Sequence, residues 1–216
     1  PKDGAIIRYG VELGYALDPI AKGQWINEHM LRLPTPPGLD DMPYGVNCLN
    51  VDAMSFELAA TYNCAFIQAD SVVGHVKPRD EESLQAFFDT FRKRCPNAFL
   101  LGGVRFKYQP LLSERTLEED LQIAMTRCDA IGVTQDATGQ ETSLDRIRQF
   151  REGIGDFPLF VCAGLRADNV AEQLKLADGA VVGSFFKDTY KDDGEVDAEH
   201  IRRFMAEVKA LRAGLK

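Results

Sequence analysis

Asp178-Gly179-Ala180-Val181-Val182-Gly183-Ser184-Phe185-Phe186-Lys187 is the segment that decides the fold. It reads as a short apolar strand running into a glycine turn. It has a companion upstream, Phe160-Val161-Cys162-Ala163-Gly164-Leu165-Arg166-Ala167-Asp168-Asn169-Val170. In both, apolar residues occupy consecutive positions, as in a strand covered on both faces. Each strand ends in a small residue beside a glycine, and the first leads into a helix. Glycine lets the backbone approach an anion closely, and free amides at a helix start favour one. Such turns after the last two strands are where β/α barrels hold phosphate. The alternative is a pair of left-handed turns with no ligand.

Working outward, strand-type runs alternate with helix-type runs. The sequence predicts strands over residues 5–9, 44–49, 65–69, 98–104, 130–134, 159–163 and 180–185. Helices are predicted over 52–62, 80–94, 116–127, 143–151, 167–174 and 197–211. Asp52 is suited to N-capping the first helix. Acids lead and bases close 80–94, matching the helix dipole. Thr116 and Glu119 have capping-box spacing. Strict alternation at about thirty residues per step means an α/β protein with a parallel sheet. A doubly wound sheet also fits, but the unbroken pattern and the paired terminal turns favour a TIM-type (β/α) barrel. The seven strands fall one short of the usual eight, so residues 1–216 are expected to form one barrel domain holding strands 2–8. The unpaired edges at 5–9 and 180–185 then call for an upstream β/α unit, or for a homo-oligomer that fills the gap. The Pro-rich stretch 33–38 reads as a loop.

The composition narrows the class. The 216 residues carry a net charge of −8, with 45% hydrophobic and 27% charged residues. An acidic chain is a poor partner for nucleic acid or an anionic membrane. No apolar run reaches the ~20 residues of a membrane span, and no signal-peptide pattern is present. The five cysteines (Cys48, Cys64, Cys95, Cys128, Cys162) have irregular spacing and no CxxC. They are expected to be buried free thiols in a reducing compartment, and the chain a cytoplasmic protein.

Candidate site residues cluster just past the strands. Asn47 is placed to orient a carbonyl or hydroxyl, with Asn50 or Asp52 nearby; for Asp52 alone the N-cap reading prevails. Asp70, at a strand tip, suits a general base or metal ligand, or serves only its loop. Gln68 precedes it in Phe66-Ile67-Gln68-Ala69-Asp70. Arg105 and Lys107 are placed to neutralise a substrate anion, or they lie in a solvated loop. Thr134 and Asp136 offer hydroxyl and carboxylate groups to a sugar or nucleotide. Ala163, Gly164, Leu165, Gly183 and Ser184 would hold phosphate, with Lys187 beside them. Aspartates at Gly164 or Gly183 are expected to abolish phosphate binding without loss of the fold. His29 and His200 read as surface residues, and His75 as a weak acid–base candidate. No metal site or particular cofactor is indicated.

These motifs together resemble the BtpA/SgcQ family of phosphate-binding-type barrels. Asp3-Gly4-Ala5-Ile6-Ile7 resembles the family's Asp-Gly-Ile strand, and Gly45-Val46-Asn47-Cys48-Leu49 its Gly-Val-Asn-x-Leu strand. The stretch from Gly164 to Val170 resembles its phosphate turn. Ala177 to Lys187 is similar to its closing Ala-Asp-Gly-x-x-Val-Gly-Thr-x-Phe-Lys motif. The chain departs at Asn50, Gln68 and Asp70, where the family usually has Arg, Arg and Asn, and its Lys-His pair is displaced to Phe106-Lys107. The resemblance implies a barrel binding a small phosphorylated sugar or nucleotide-like metabolite, as an isomerase, lyase or hydrolase. It equally implies the alternative of a noncatalytic assembly factor, because some members are linked to photosystem I accumulation.

Overall fold

A computed structural model describes residues 5–8, 11–22, 24, 30–32, 42–49, 51–74 and 80–214. The chain divides into two units, Pro1–Pro43 and Tyr44–Lys216. In the first, β1 (Ala5–Arg8) pairs antiparallel with β2 (Val11–Ala16), which pairs antiparallel with β3 (Leu31–Arg32). This corrects the expectation for residues 5–9, which were assigned to the parallel sheet. The overlooked signal is Val11-Glu12-Leu13-Gly14-Tyr15-Ala16. Its apolar–polar alternation follows so closely that hairpin pairing prevails over a long crossover.

The second unit holds a six-stranded parallel sheet: β4 (Gly45–Val46), β5 (Phe66–Ala69), β6 (Phe99–Gly103), β7 (Ala130–Val133), β8 (Leu159–Val161) and β9 (Gly179–Ala180). Spatial order equals chain order. The connecting helices are α1 (Asp52–Tyr62), α2 (Glu81–Arg94), α3 (Leu117–Met125), α4 (Leu144–Ile154) and α5 (Val170–Gln173), with α6 (Ala198–Gly214) closing the chain. Crossovers between parallel strands are right-handed. When every one advances in the same direction, all helices fall on one face. The packing agrees. Ile67, Leu100, Ile131 and Val161 of the strands share one core with Phe56, Phe88, Leu121, Ile147 and Phe204 of the helices. The opposite face carries a small separate cluster of Leu101, Ala130, Cys162 and Phe106, with Phe160 against it. Single winding excludes the doubly wound alternative and is the topology of a barrel wall. Among the described residues, β4 and β9 each pair on one side only.

The helix starts follow their local sequence. Asp80 accepts the Glu82 and Ser83 amides, and Thr116 and Glu119 form the reciprocal capping box. At α1 the cap position falls on Val51, with no side-chain cap, and Asp52 is the first helical residue. Asp52 therefore is not the N-cap its residue type suggested.

One device recurs where strands begin. Asp129, just before β7, pairs with both Arg92 guanidinium nitrogens at 2.6 and 2.7 Å and accepts the Leu100 amide at 2.7 Å. Asp178, just before β9, pairs with Arg151 at 2.6 Å and accepts the Leu159 amide at 2.9 Å. Each aspartate amide in turn donates to the same residue's carbonyl, at 2.9 Å in both cases. An aspartate ahead of one strand thus fixes the register of its neighbour and anchors a helix. Four of the five cysteines are buried free thiols, and no helix among the described residues is long and apolar enough to cross a membrane.

Burial alone would raise the Asp129 carboxyl, but Arg92 and the Leu100 amide hold it below the ordinary range. A carboxyl lowered in the folded state stabilises above its unfolded value near pH 4 and loses that contribution as pH falls through the folded value. Asp129→Asn is expected to cost about 2 kcal/mol at neutral pH. In melting curves taken from pH ~6 to ~2, its deficit against the wild type should shrink with acid; a constant deficit would refute the assignment.

Candidate functional site

The C-terminal ends of the parallel strands carry the polar residues. Past β4, the Asn47 amide donates to the Gln68 carbonyl at 2.9 Å and to Asp70 Oδ1 at 3.0 Å. The Gln68 side chain donates to the same Oδ1 at 3.3 Å. Asn47, Gln68 and Asp70 are therefore one cluster, in which two amides orient a single carboxylate. Asn50 and His75 lie outside the described residues.

The loop after β6 separates the two basic candidates. Arg105, at a left-handed φ of 47°, turns inward. Its Nε donates to Asp120 Oδ2 at 2.9 Å, and its Nη2 to the Arg115 carbonyl at 2.6 Å. Asp120 is fully buried and also accepts from Arg115 Nε at 2.8 Å. Arg115 continues to Glu81, which accepts from Arg127 as well. Arg105 thus clamps the loop after β6. Lys107 is different. It is half-buried, and among the described residues no carboxylate stands within salt-bridge distance of it. Its backbone amide donates to Thr134 Oγ1 at 2.8 Å. Thr134 is fully buried, and its hydroxyl secures the Lys107 backbone. Asp136 is exposed on the neighbouring loop, and its carbonyl accepts the Tyr108 amide at 3.3 Å.

Lys107 lines a cleft of about 160 Å³ together with Ala163, Gly164, Leu165, Gly183 and Ser184. Two turns far apart in sequence and one amine are thereby brought together. Among the described residues, the amides of Gly164, Leu165, Gly183 and Ser184 find no hydrogen-bond acceptor. The reason differs from the sequence expectation: α5 begins at Val170, beyond the glycine turn, and Asn169 instead closes that turn by accepting the Arg166 amide and donating to the Gly164 carbonyl. Lys187 is not part of the cleft wall; its backbone is taken up in turns with Ser184, Tyr190 and Val196. Arg166 reaches the wall but is paired with Glu141 and Asp168.

Cys162 lies at the base of this arrangement. Burial pushes its thiol up to about 12, opposed by the Lys107 charge and reinforced by Asp70. The sulfur therefore feels both the amine and the carboxylate, yet stays a thiol and is no nucleophile at neutral pH. Tyr190 also lines the cleft. Sequence reasoning passed over it because it stands in a polar loop outside any motif. His200, read as a surface residue, is half-buried against Tyr190.

A single-wound sheet of six parallel strands with an amide-lined cleft at its C-terminal edge defines a half-barrel parallel α/β protein. The chain belongs to the BtpA family, whose model matches residues 40–210. An uncharacterised protein of Thermococcus kodakarensis is 28% identical over 178 residues, spanning 79% of this chain and 67% of that protein. One from Pyrococcus abyssi is 27% identical over 176 residues, with the same shares. Among solved structures, native KDPGal is similar at a TM-score of 0.49 and 14% identity over 74% of this chain and 66% of that one, slightly under two thirds of its length. N-(5'-phosphoribosyl)anthranilate isomerase from Pyrococcus furiosus is similar at 0.48 and 21% over 73% and 67%.

The two glycines are not equivalent. Gly164 has φ +70°, and a Cβ there would collide with the Gln140 carbonyl and the Glu141 backbone. Gly183 has ordinary φ and open space around a Cβ. The expectation that an aspartate at Gly164 spares the fold is therefore wrong, while Gly183 is open to it. Gly164→Ala is expected to lower stability by about 3 kcal/mol, and Gly183→Ala to stay within ~0.5 kcal/mol of wild type, by denaturant titration.

Proposed function

We propose that this chain binds a small phosphorylated metabolite, sugar- or nucleotide-like, in the cleft between the Ala163–Leu165 and Gly183–Ser184 turns. One observation carries the reading: four unengaged amides and a half-buried amine without a carboxylate partner line a single cleft. Such a cleft offers several donors and one positive charge, the requirements for a phosphate group. A half-buried amine lacking an anion is costly to keep, and a bound anion offsets that cost.

The reactive end of the ligand would lie toward Asp70. Asn47 and Gln68 donate to one oxygen of this carboxylate, which leaves the other to take or return a proton. Lys107 then stabilises negative charge that builds on the substrate as the proton moves. Isomerisation, aldol-type cleavage and hydrolysis all use a base and an anion-stabilising cation in this relation. In this reading Arg105 and Thr134 are positioning residues, the first holding the loop and the second holding the Lys107 backbone.

The experiment is calorimetry with inorganic phosphate. The wild type should bind, Gly183→Asp should abolish binding by repulsion and obstruction, and Lys107→Met should weaken it about tenfold. Each variant should keep the wild-type melting temperature. Asp70→Asn should keep phosphate affinity while losing turnover of a phosphorylated substrate. A wild type that does not bind phosphate would sink the reading and favour the assembly-factor alternative.

A further inference from the structure

The loop between the Gly183–Ser184 turn and α6 brings one tyrosine to the same cleft. Tyr190, at φ 56°, forms part of its wall. Its ring stacks on His200 of α6 with centroids 4.3 Å apart and planes 20° from parallel. Its hydroxyl lies 2.8 Å from His200 Nε2, and His200 Nδ1 lies 2.9 Å from the Lys187 carbonyl. A carbonyl only accepts, so Nδ1 carries a proton in either charge state of the ring. In the neutral imidazole Nε2 is then bare, and Tyr190 must donate its only proton to it. The Tyr190 oxygen can in that state only accept from a ligand. In the imidazolium both ring nitrogens donate, Tyr190 accepts from Nε2, and its own O–H is released.

We propose that Tyr190 is a ligand-contacting residue of the cleft and that His200 sets its polarity. It donates to a bound oxyanion when His200 is protonated and presents a lone pair when His200 is neutral. The inference rests on the anion-binding reading of the cleft. It adds that the oxyanion is held better when His200 carries two ring protons than when it carries one. Among the described residues, these groups face His200. The Asp197 carboxylate just ahead of α6 accepts the His200 amide at 2.9 Å; on α6 itself Glu199 precedes His200 and Arg203 follows it by three positions. From the loop come Tyr190 and the Lys187 carbonyl. From the glycine turn comes the Phe185 ring, 5.7 Å away, beneath Arg203. Cys162, pushed up to about 12, contributes no titration near neutrality.

The test uses sulfate, which does not itself titrate near neutral pH, so that the protein alone sets the profile. Affinity is measured by calorimetry in a series from about pH 5 to about pH 8. The wild type should weaken about tenfold across it, the worth of one hydrogen bond to an anion. Tyr190→Phe should bind weakly at both ends, with a flat profile. His200→Asn keeps a donor for the Lys187 carbonyl but removes Nε2, so it should bind at the acid-side affinity throughout. If His200→Asn fails to fold, Tyr190→Phe alone decides, since its profile must lose the pH dependence. Wild-type binding abolished by Gly183→Asp, but with the same profile in the wild type and Tyr190→Phe, would overturn this inference and leave the anion site standing. No sulfate or phosphate binding by the wild type would overturn both.

Discussion

The buried carboxylate of Asp120 is the constraint on which the site depends. It has no exposed surface and accepts from two guanidinium groups, Arg105 on the loop after β6 and Arg115 just ahead of α3. A carboxylate removed from water must be matched on both oxygens, and here each has one arginine. From Arg115 the chain of charges runs to Glu81 and on to Arg127, which is buried and donates to the Val72 carbonyl at 2.8 Å. Glu81 also accepts the Gly74 amide at 2.7 Å. These contacts tie down the loops after β5 and β6, which carry Asp70 and Lys107. The placement of Asp70 and Lys107 is thus held by charged residues on neighbouring elements.

The interior sorts itself by the same logic. The helix-side core is large and wholly apolar at the strands, because six short parallel strands and their crossovers share it. The opposite face bears Gln68, Gly103, Gly132 and Cys162 between bulky neighbours. A Cβ at Gly103 would crowd the Asp70 carbonyl and the Phe106 ring, and one at Gly132 would meet Cys162 and Phe106 at 3.1 and 3.2 Å. Small residues on this face make room for the Phe106 ring directly below Lys107, whose Nζ stands 5.5 Å above it.

Much of this was legible in the sequence, for reasons that are local. Consecutive apolar residues marked β5 to β8 because the helix-side core and the small cluster on the opposite face together cover most of their side chains. Thr116 marked a helix start because a capping box acts within three residues. The Gly164 turn was legible because glycine at φ +70° is a local demand. The rest depends on partners far along the chain. Arg105 looked free because Asp120 is fifteen positions away on another element. Thr134 looked ligand-facing because nothing local shows that the Lys107 amide covers it. The β1–β2 hairpin was hidden by an apolar run that suits either kind of sheet, and β9 is shorter than its apolar run because an edge strand has one neighbour to hold it.

The duplicated arginine–aspartate staple has a bearing on how the sheet assembles. In each copy, an aspartate entering the sheet reads the first backbone groups of the strand already there, and the arginine that completes it lies on the helix preceding that earlier strand. Every element of a staple therefore comes from the stretch just synthesised. A growing chain can lock β6 against β7 before β8 exists, and β8 against β9 without reference to β4. Assembly of this wall is a sequence of nearest-neighbour closures, each confirmed by a charge, and it needs no contact between its two ends.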